Sequence, residues 1–211
     1  MTENILYEIM TDGVNIQVID RPNVRHLRFG NSVRQSSINK SKPFKLQTKY
    51  SRDMISVFDH YTGVPETILV LGLGAGTIPS YLFHKFPNTK INVVELLPEL
   101  KAIASEYFSM PKDERLEGII DDAYDYVLNT TSRFDIIFMD VFNKNGVPTK
   151  FSEKLFYLGL SKLLTKGGYV AFNTWISSRS HPVYIDKLKG VFDTVIEHST
   201  ITSGNHIAFC K

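Results

Sequence analysis

The chain has 211 residues, 43% of them hydrophobic and 22% charged, with a formal net charge of +2. That length holds one domain with a full core plus a small appendage, and the near-balanced charge gives no electrostatic reason to expect a nucleic-acid partner. The one cysteine, Cys210, excludes an internal disulfide framework and fits a reducing compartment.

The first segment, MTENILYEIMTDG, lacks the basic start and long apolar stretch of a secretory signal. No run is long and apolar enough for a membrane span, so the expectation is a cytoplasmic protein without a membrane partner. Up to about residue 40 the chain shows short extended pieces, NIQVID, VRHLRFG and RQSSIN, separated by turn formers. They predict a small antiparallel sheet of hairpins. Arg21, Arg25, Arg28 and Arg34 alternate through them as a solvated face. A helical segment follows over roughly 47–61. The predicted division is a hairpin region over 1–46 and a nucleoside-binding, Rossmann-like catalytic domain over 47–211.

From residue 67 strands and helices alternate. The strands are TILVLG, KINVVE, LEGIID, FDIIFMD and GYVAFN, with helical patterns such as PELKAIASEYF and SEKLFYLGLSKLL between them. Ile136, Ile137, Phe138 and Met139 are apolar on both faces, as buried parallel strands require. Leu155, Leu158 and Leu163 read as a core-packing stripe. TVIEHST and NHIAFC form a closing hairpin. The fold class is α/β, a doubly wound, mostly parallel sheet with right-handed crossovers.

Ligands bind such sheets beyond the carboxyl ends of the strands, and polar residues gather there in this sequence. Gly72, Gly74 and Gly76 end the first core strand, Glu95 the second, Asp121 and Asp122 the third, and Asp140 the fourth. Each alone reads as a turn or a cap; four successive strands ending this way point to a site. Glycines let the backbone approach a nucleoside closely. An acid about 20 residues further on, here Glu95, can accept from both ribose hydroxyls. Asp122, with Asp121 as the spare, can accept from an adenine amino group. Thr77 stands where a dinucleotide fingerprint wants its third glycine, and no P-loop is present, so a nucleoside without phosphates fits better. The six histidines show no metal-ligand spacing, and no metal site is predicted. Trp175, at the end of the fifth strand, either lines an acceptor pocket or packs in the core.

On these motifs, with YSRDMISVF before them and FDIIFMDVFNKNGVP after, residues from about 15 to 175 resemble the spermidine-synthase-like proteins. These form the aminopropyltransferase branch of the S-adenosylmethionine-dependent methyltransferase fold. The resemblance implies transfer of an aminopropyl group from decarboxylated S-adenosylmethionine to a polyamine or other amine acceptor, with release of methylthioadenosine. It also implies Asp140 as the catalytic base and a homodimer held through the N-terminal hairpins.

The pattern departs from the family at three places. Ala75 replaces an aspartate that holds the donor's amine in the glycine loop. Asn143 replaces a second aspartate, and Ser51, Arg52 and Asp53 stand for a Tyr-Gln-Glu or Tyr-His-Glu segment. The chain also stops soon after the core. Arg52, Asp53 and Asn143 are therefore candidate substrate contacts with altered chemistry, and Trp175 is a further candidate substrate contact. Ala75 is expected to free space beside the donor tail, and Arg52 to pair with a donor carboxylate. Two alternatives stay open: a methyltransferase using intact S-adenosylmethionine, or a catalytically impaired nucleoside-binding homologue.

Overall fold

The computed structural model describes residues 3–30, 33–143, 146–175, 181–199 and 204–211. The chain begins with four antiparallel strands in the order β1 (Asn4–Thr11), β2 (Val14–Asp20), β3 (Val24–Phe29) and β4 (Val33–Asn39). β1 extends the three hairpin strands legible in the sequence. Its turn into β2 is Asp12-Gly13, both with positive φ (46° and 70°), as a tight two-residue hairpin turn requires. Arg25 and Arg28 are half-buried and paired: Arg25 bonds Asp20, and Arg28 bonds Gln17 and Glu3. They are staples of the sheet rather than a free basic face.

Helix α1 (Lys49–Ile55) and a 3-10 turn (Ser56–Asp59) lead into a seven-stranded sheet. In chain order its elements are β5 (Thr67–Leu71), α2 (Thr77–Lys85), β6 (Lys90–Glu95), α3 (Pro98–Tyr107), β7 (Leu116–Ile120), α4 (Ala123–Asn129) and β8 (Phe134–Met139). A 3-10 turn (Thr149–Ser152), α5 (Lys154–Leu163), β9 (Leu164–Trp175), α6 (His181–Lys189), β10 (Val195–Ser199) and β11 (Asn205–Cys210) follow. The spatial order is β10-β11-β9-β8-β5-β6-β7. The five strands from β7 to β9 run parallel, and β11 and β10 add antiparallel at one edge. This is the predicted doubly wound sheet, with the expected closing hairpin at its edge.

Alternation along the central strands explains the layers. Ile68 and Val70 face a core shared with α1, α2, α3 and the N-terminal sheet, while Leu69 and Leu71 face α4, α5 and α6. Period-two alternation with both faces covered makes each central strand apolar throughout. The expected leucine stripe does not form a core face. Leu163 is buried at 4% exposure, but Leu155 and Leu158 are 56% and 39% exposed. α5 is paved on its inner side by Phe156, Tyr157 and Leu160 instead, so those two leucines fall on the outer face. Among the described residues no helix is long and apolar enough to cross a membrane.

Candidate active site

A cavity of about 1140 Å³ opens at the carboxyl ends of β5, β6, β8 and β9. The first wall is the turn after β5. Gly72 has φ +91°, and a Cβ there would run into the Asp140 backbone carbonyl, so only glycine lets β5 and β8 end this close together. Gly74 (φ +53°) has open space where its side chain would be and borders the cavity. Gly76 does something different. Its φ is +71°, it starts α2, and a Cβ would press on Met110 and Ala104, so it serves helix packing rather than the cavity wall.

Glu95 ends β6 with Oε2 accepting from the Leu73 amide (2.9 Å) and Oε1 from the Leu97 amide (3.0 Å). Burial pushes its carboxyl above the ordinary range, and these amides pull it partly back. The two amides hold the carboxylate fixed at the cavity edge, where its remaining lone pairs can accept from a diol. Asp122 caps α4, accepting from the Tyr124 amide at 2.8 Å, and its other oxygen meets the Lys150 ammonium. It lines the cavity, whereas Asp121 is exposed and accepts from the Asp122 amide at 2.8 Å.

Asp140 follows β8, its amide bonded to the Leu71 carbonyl at 2.9 Å. Burial raises its carboxyl from 3.8 to about 6, opposed by a 2.7 Å hydrogen bond from the Asn173 amide group. Tyr50, from α1, lies in its field; burial first and the Asp140 charge second push that phenol upward. Asn143 also lines the cavity and closes a backbone bridge with Gly146.

Arg52 and Asp53 are not brought into this cavity. The Arg52 guanidinium donates to the carbonyls of Leu46 (3.1 Å) and Gln47 (2.8 Å) and borders a separate small groove. Asp53 pairs with Lys49 at 3.1 Å and His198 at 3.6 Å. The helical period is the cause: with Tyr50 and Met54 turned inward, position 52 points to the opposite side. Ala75 is fully buried in the core cluster and is absent from the cavity wall, so it frees no space for a ligand. The Trp175 side chain lies outside the described residues. Among the described residues no cluster of His, Cys, Asp or Glu could hold a metal ion.

Asn173, Asn205, Tyr50 and the β1–β2 turn at Asp12-Gly13 line the cavity and are among the contributors that the sequence does not single out. Asn173 carried a usable signal, since it ends the strand GYVAFN just as Glu95 and Asp140 end theirs.

An open sheet of this order, with a glycine turn after β5 and acids after β6, β7 and β8, defines the S-adenosylmethionine-methyltransferase-like fold. A model of the spermine/spermidine synthase domain matches residues 47–202, more than half the chain. The chain belongs to that family and is a transferase enzyme. It is 27% identical over 192 residues to a polyamine aminopropyltransferase of Neisseria meningitidis, covering 90% of this chain and 73% of the relative. It is 26% identical over 158 residues to the eEF1A lysine and N-terminal methyltransferase of Mus musculus, covering 70% of this chain and 23% of that protein. A probable spermidine synthase from Corynebacterium glutamicum superposes with TM-score 0.84 at 22% identity, covering all of this chain and 80% of that one.

Proposed function

We propose that this enzyme transfers an aminopropyl group from decarboxylated S-adenosylmethionine to an amine acceptor of the polyamine class. The observation that carries the reading is Asp140, a carboxylate raised to about 6, set in the wall of a cavity that Glu95 and Asp122 also line. Glu95 accepts the ribose hydroxyls and Asp122 the adenine amino group, while Gly72 and Gly74 leave room for the nucleoside. The acceptor amine attacks the carbon next to the sulfonium in line with the breaking bond. As the C–N bond forms, the C–S electrons return to sulfur and methylthioadenosine leaves. The proton lost by the new ammonium passes to Asp140. A base near neutrality is matched to that transfer, and holding amine and donor in register supplies the rest of the acceleration.

A second reading, methyl transfer from intact S-adenosylmethionine, is favoured by one observation. Methyltransferases are among the relatives. With Arg52 turned away and Ala75 buried, neither residue offers a charge that would favour one donor's tail over the other's. The two donors should therefore bind within about tenfold of each other, roughly 1.4 kcal/mol.

Product analysis separates the readings. Purified enzyme is incubated with each donor and putrescine. Methylthioadenosine with an aminopropylated amine supports the proposal. S-Adenosylhomocysteine with a methylated amine assigns methyl transfer, and nucleoside binding without either product marks an impaired homologue.

A further inference from the structure

The end of β9 and the start of β11 place two buried carboxamides in series behind Asp140. Asn173 is 1% exposed and Asn205 8%. Asn205 Nδ2 donates to Asn173 Oδ1 at 3.0 Å, and Asn173 Nδ2 donates to Asp140 Oδ1 at 2.7 Å. The sheet register creates the series. Met139 pairs with Phe172 across β8 and β9, which sets Asp140 beside Asn173. Asn173 pairs with Ile207 across β9 and β11, which sets Asn205 on the diagonal, two residues away.

The direction of the chain follows from the chemistry of its last member. An ionised carboxylate only accepts hydrogen bonds, so Asn173 must turn its NH₂ toward Asp140. Its carbonyl oxygen then faces Asn205, which must donate. Among the described residues Asp140 Oδ2 takes no hydrogen bond.

We propose that Asn205 and Asn173 are positioning residues, a relay of fixed polarity that reserves Asp140 Oδ1 for an N–H donor and leaves Oδ2 as the oxygen that takes the substrate proton. This rests on the reading of Asp140 as the base. A proton on Oδ1 would face the Asn173 N–H, so the proton leaving the acceptor amine is directed to Oδ2. The relay also holds the carboxyl plane, so that Oδ2 keeps one orientation toward the cavity. Tyr50 from α1 lies in the field of Asp140, and Asp12, Lys49, Glu95, Asp122 and Lys150 line the same cavity. His206, beside Asn205 on β11, faces Glu197 at 3.4 Å.

The test reads Asp140 directly, by carboxyl carbon NMR titration of the purified chain, without relying on turnover. In the wild-type protein the midpoint is expected at about 6. Asn173→Leu removes the donor that favours the ionised form, and the midpoint should climb by about one pH unit or more. Asn205→Ala frees the Asn173 amide to turn over, and should move the midpoint the same way by less. Retained binding of methylthioadenosine shows that each variant is folded, and Asn205→Ala carries the test if Asn173→Leu does not fold. An unmoved midpoint in a folded variant overturns the relay. Failure of the base assignment has a different signature: Asp140→Asn turns over like wild type while the Asn173→Leu midpoint still shifts.

Discussion

Replacing Asp140 by asparagine should stabilise the protein at neutral pH while stopping its chemistry. In the fold the Asp140 carboxyl titrates at about 6 instead of 3.8, chiefly because it is buried. Between those two values the folded chain holds the proton that the unfolded chain has released. Stability from this group is therefore complete below the ordinary value and is lost as pH rises through about 6. The full separation corresponds to roughly 3 kcal/mol. Because Asp140 lines the cavity, the expected gain for Asp140→Asn at pH 8 is about 1–3 kcal/mol. Asparagine keeps an oxygen for the Asn173 donor, so no other contact is given up. Urea unfolding of both proteins across about pH 4 to 8 measures the difference. Curves that stay parallel over that whole range would refute the reasoning, because they would mean that Asp140 titrates alike folded and unfolded. Turnover of the variant should fall by roughly 10²–10⁴-fold with nucleoside affinity kept. Wild-type turnover should rise with pH and level off above about 6.

Glu95→Gln should weaken methylthioadenosine binding by about 1.5–3 kcal/mol in calorimetry, and unchanged affinity would remove Glu95 from the nucleoside site. Gly72→Ala should destabilise the fold by about 1–3 kcal/mol, because its φ of +91° strains any side chain and the new Cβ meets the backbone of Asp140. Gly74→Ala has no neighbour to strike, so denaturant melts should show a smaller loss while nucleoside affinity drops. Leu163→Ala should cost about 2–5 kcal/mol in the same melts, whereas Leu155→Lys should stay within roughly 0.5 kcal/mol. Equal losses would contradict the exposed placement of Leu155.

Strand composition carried most of the architecture. The runs around Val70 and Ile137 are apolar on both faces only because helices cover both sides, and that signature survives in a single sequence. The acids at Glu95, Asp122 and Asp140 were legible for a related reason, since a polar residue after a buried run must face solvent or a ligand. Direction around a short helix was not legible. Arg52 and Asp53 sit two and three residues after Tyr50, and only the packing of Met54 and Ile55 decides which side of α1 turns inward. Leu155 and Leu158 misled because aromatic residues, Phe156 and Tyr157, took the inner face of α5. The contact between Asn173 and Asn205 spans 32 residues and depends on strand register, which local sequence does not state.

The β1–β2 turn lends Asp12 and Gly13 to the cavity, and the sheet behind it is tied to α3 by Thr11 on Glu99 (3.0 Å) and Arg25 on the Tyr107 carbonyl (2.8 Å). Ile16, Val18 and Leu27 share one core cluster with Ile68 and Val70 of the large sheet. A ligand filling the cavity would touch both sheets, and its binding free energy should be felt by the hairpin as well as by the wall that carries Asp140. Amide exchange and protease cutting at the Asp12-Gly13 turn should slow when the cavity is filled. That turn would report, from the surface, the occupancy of a cavity whose buried carboxylate, Asp140, stands on the other sheet.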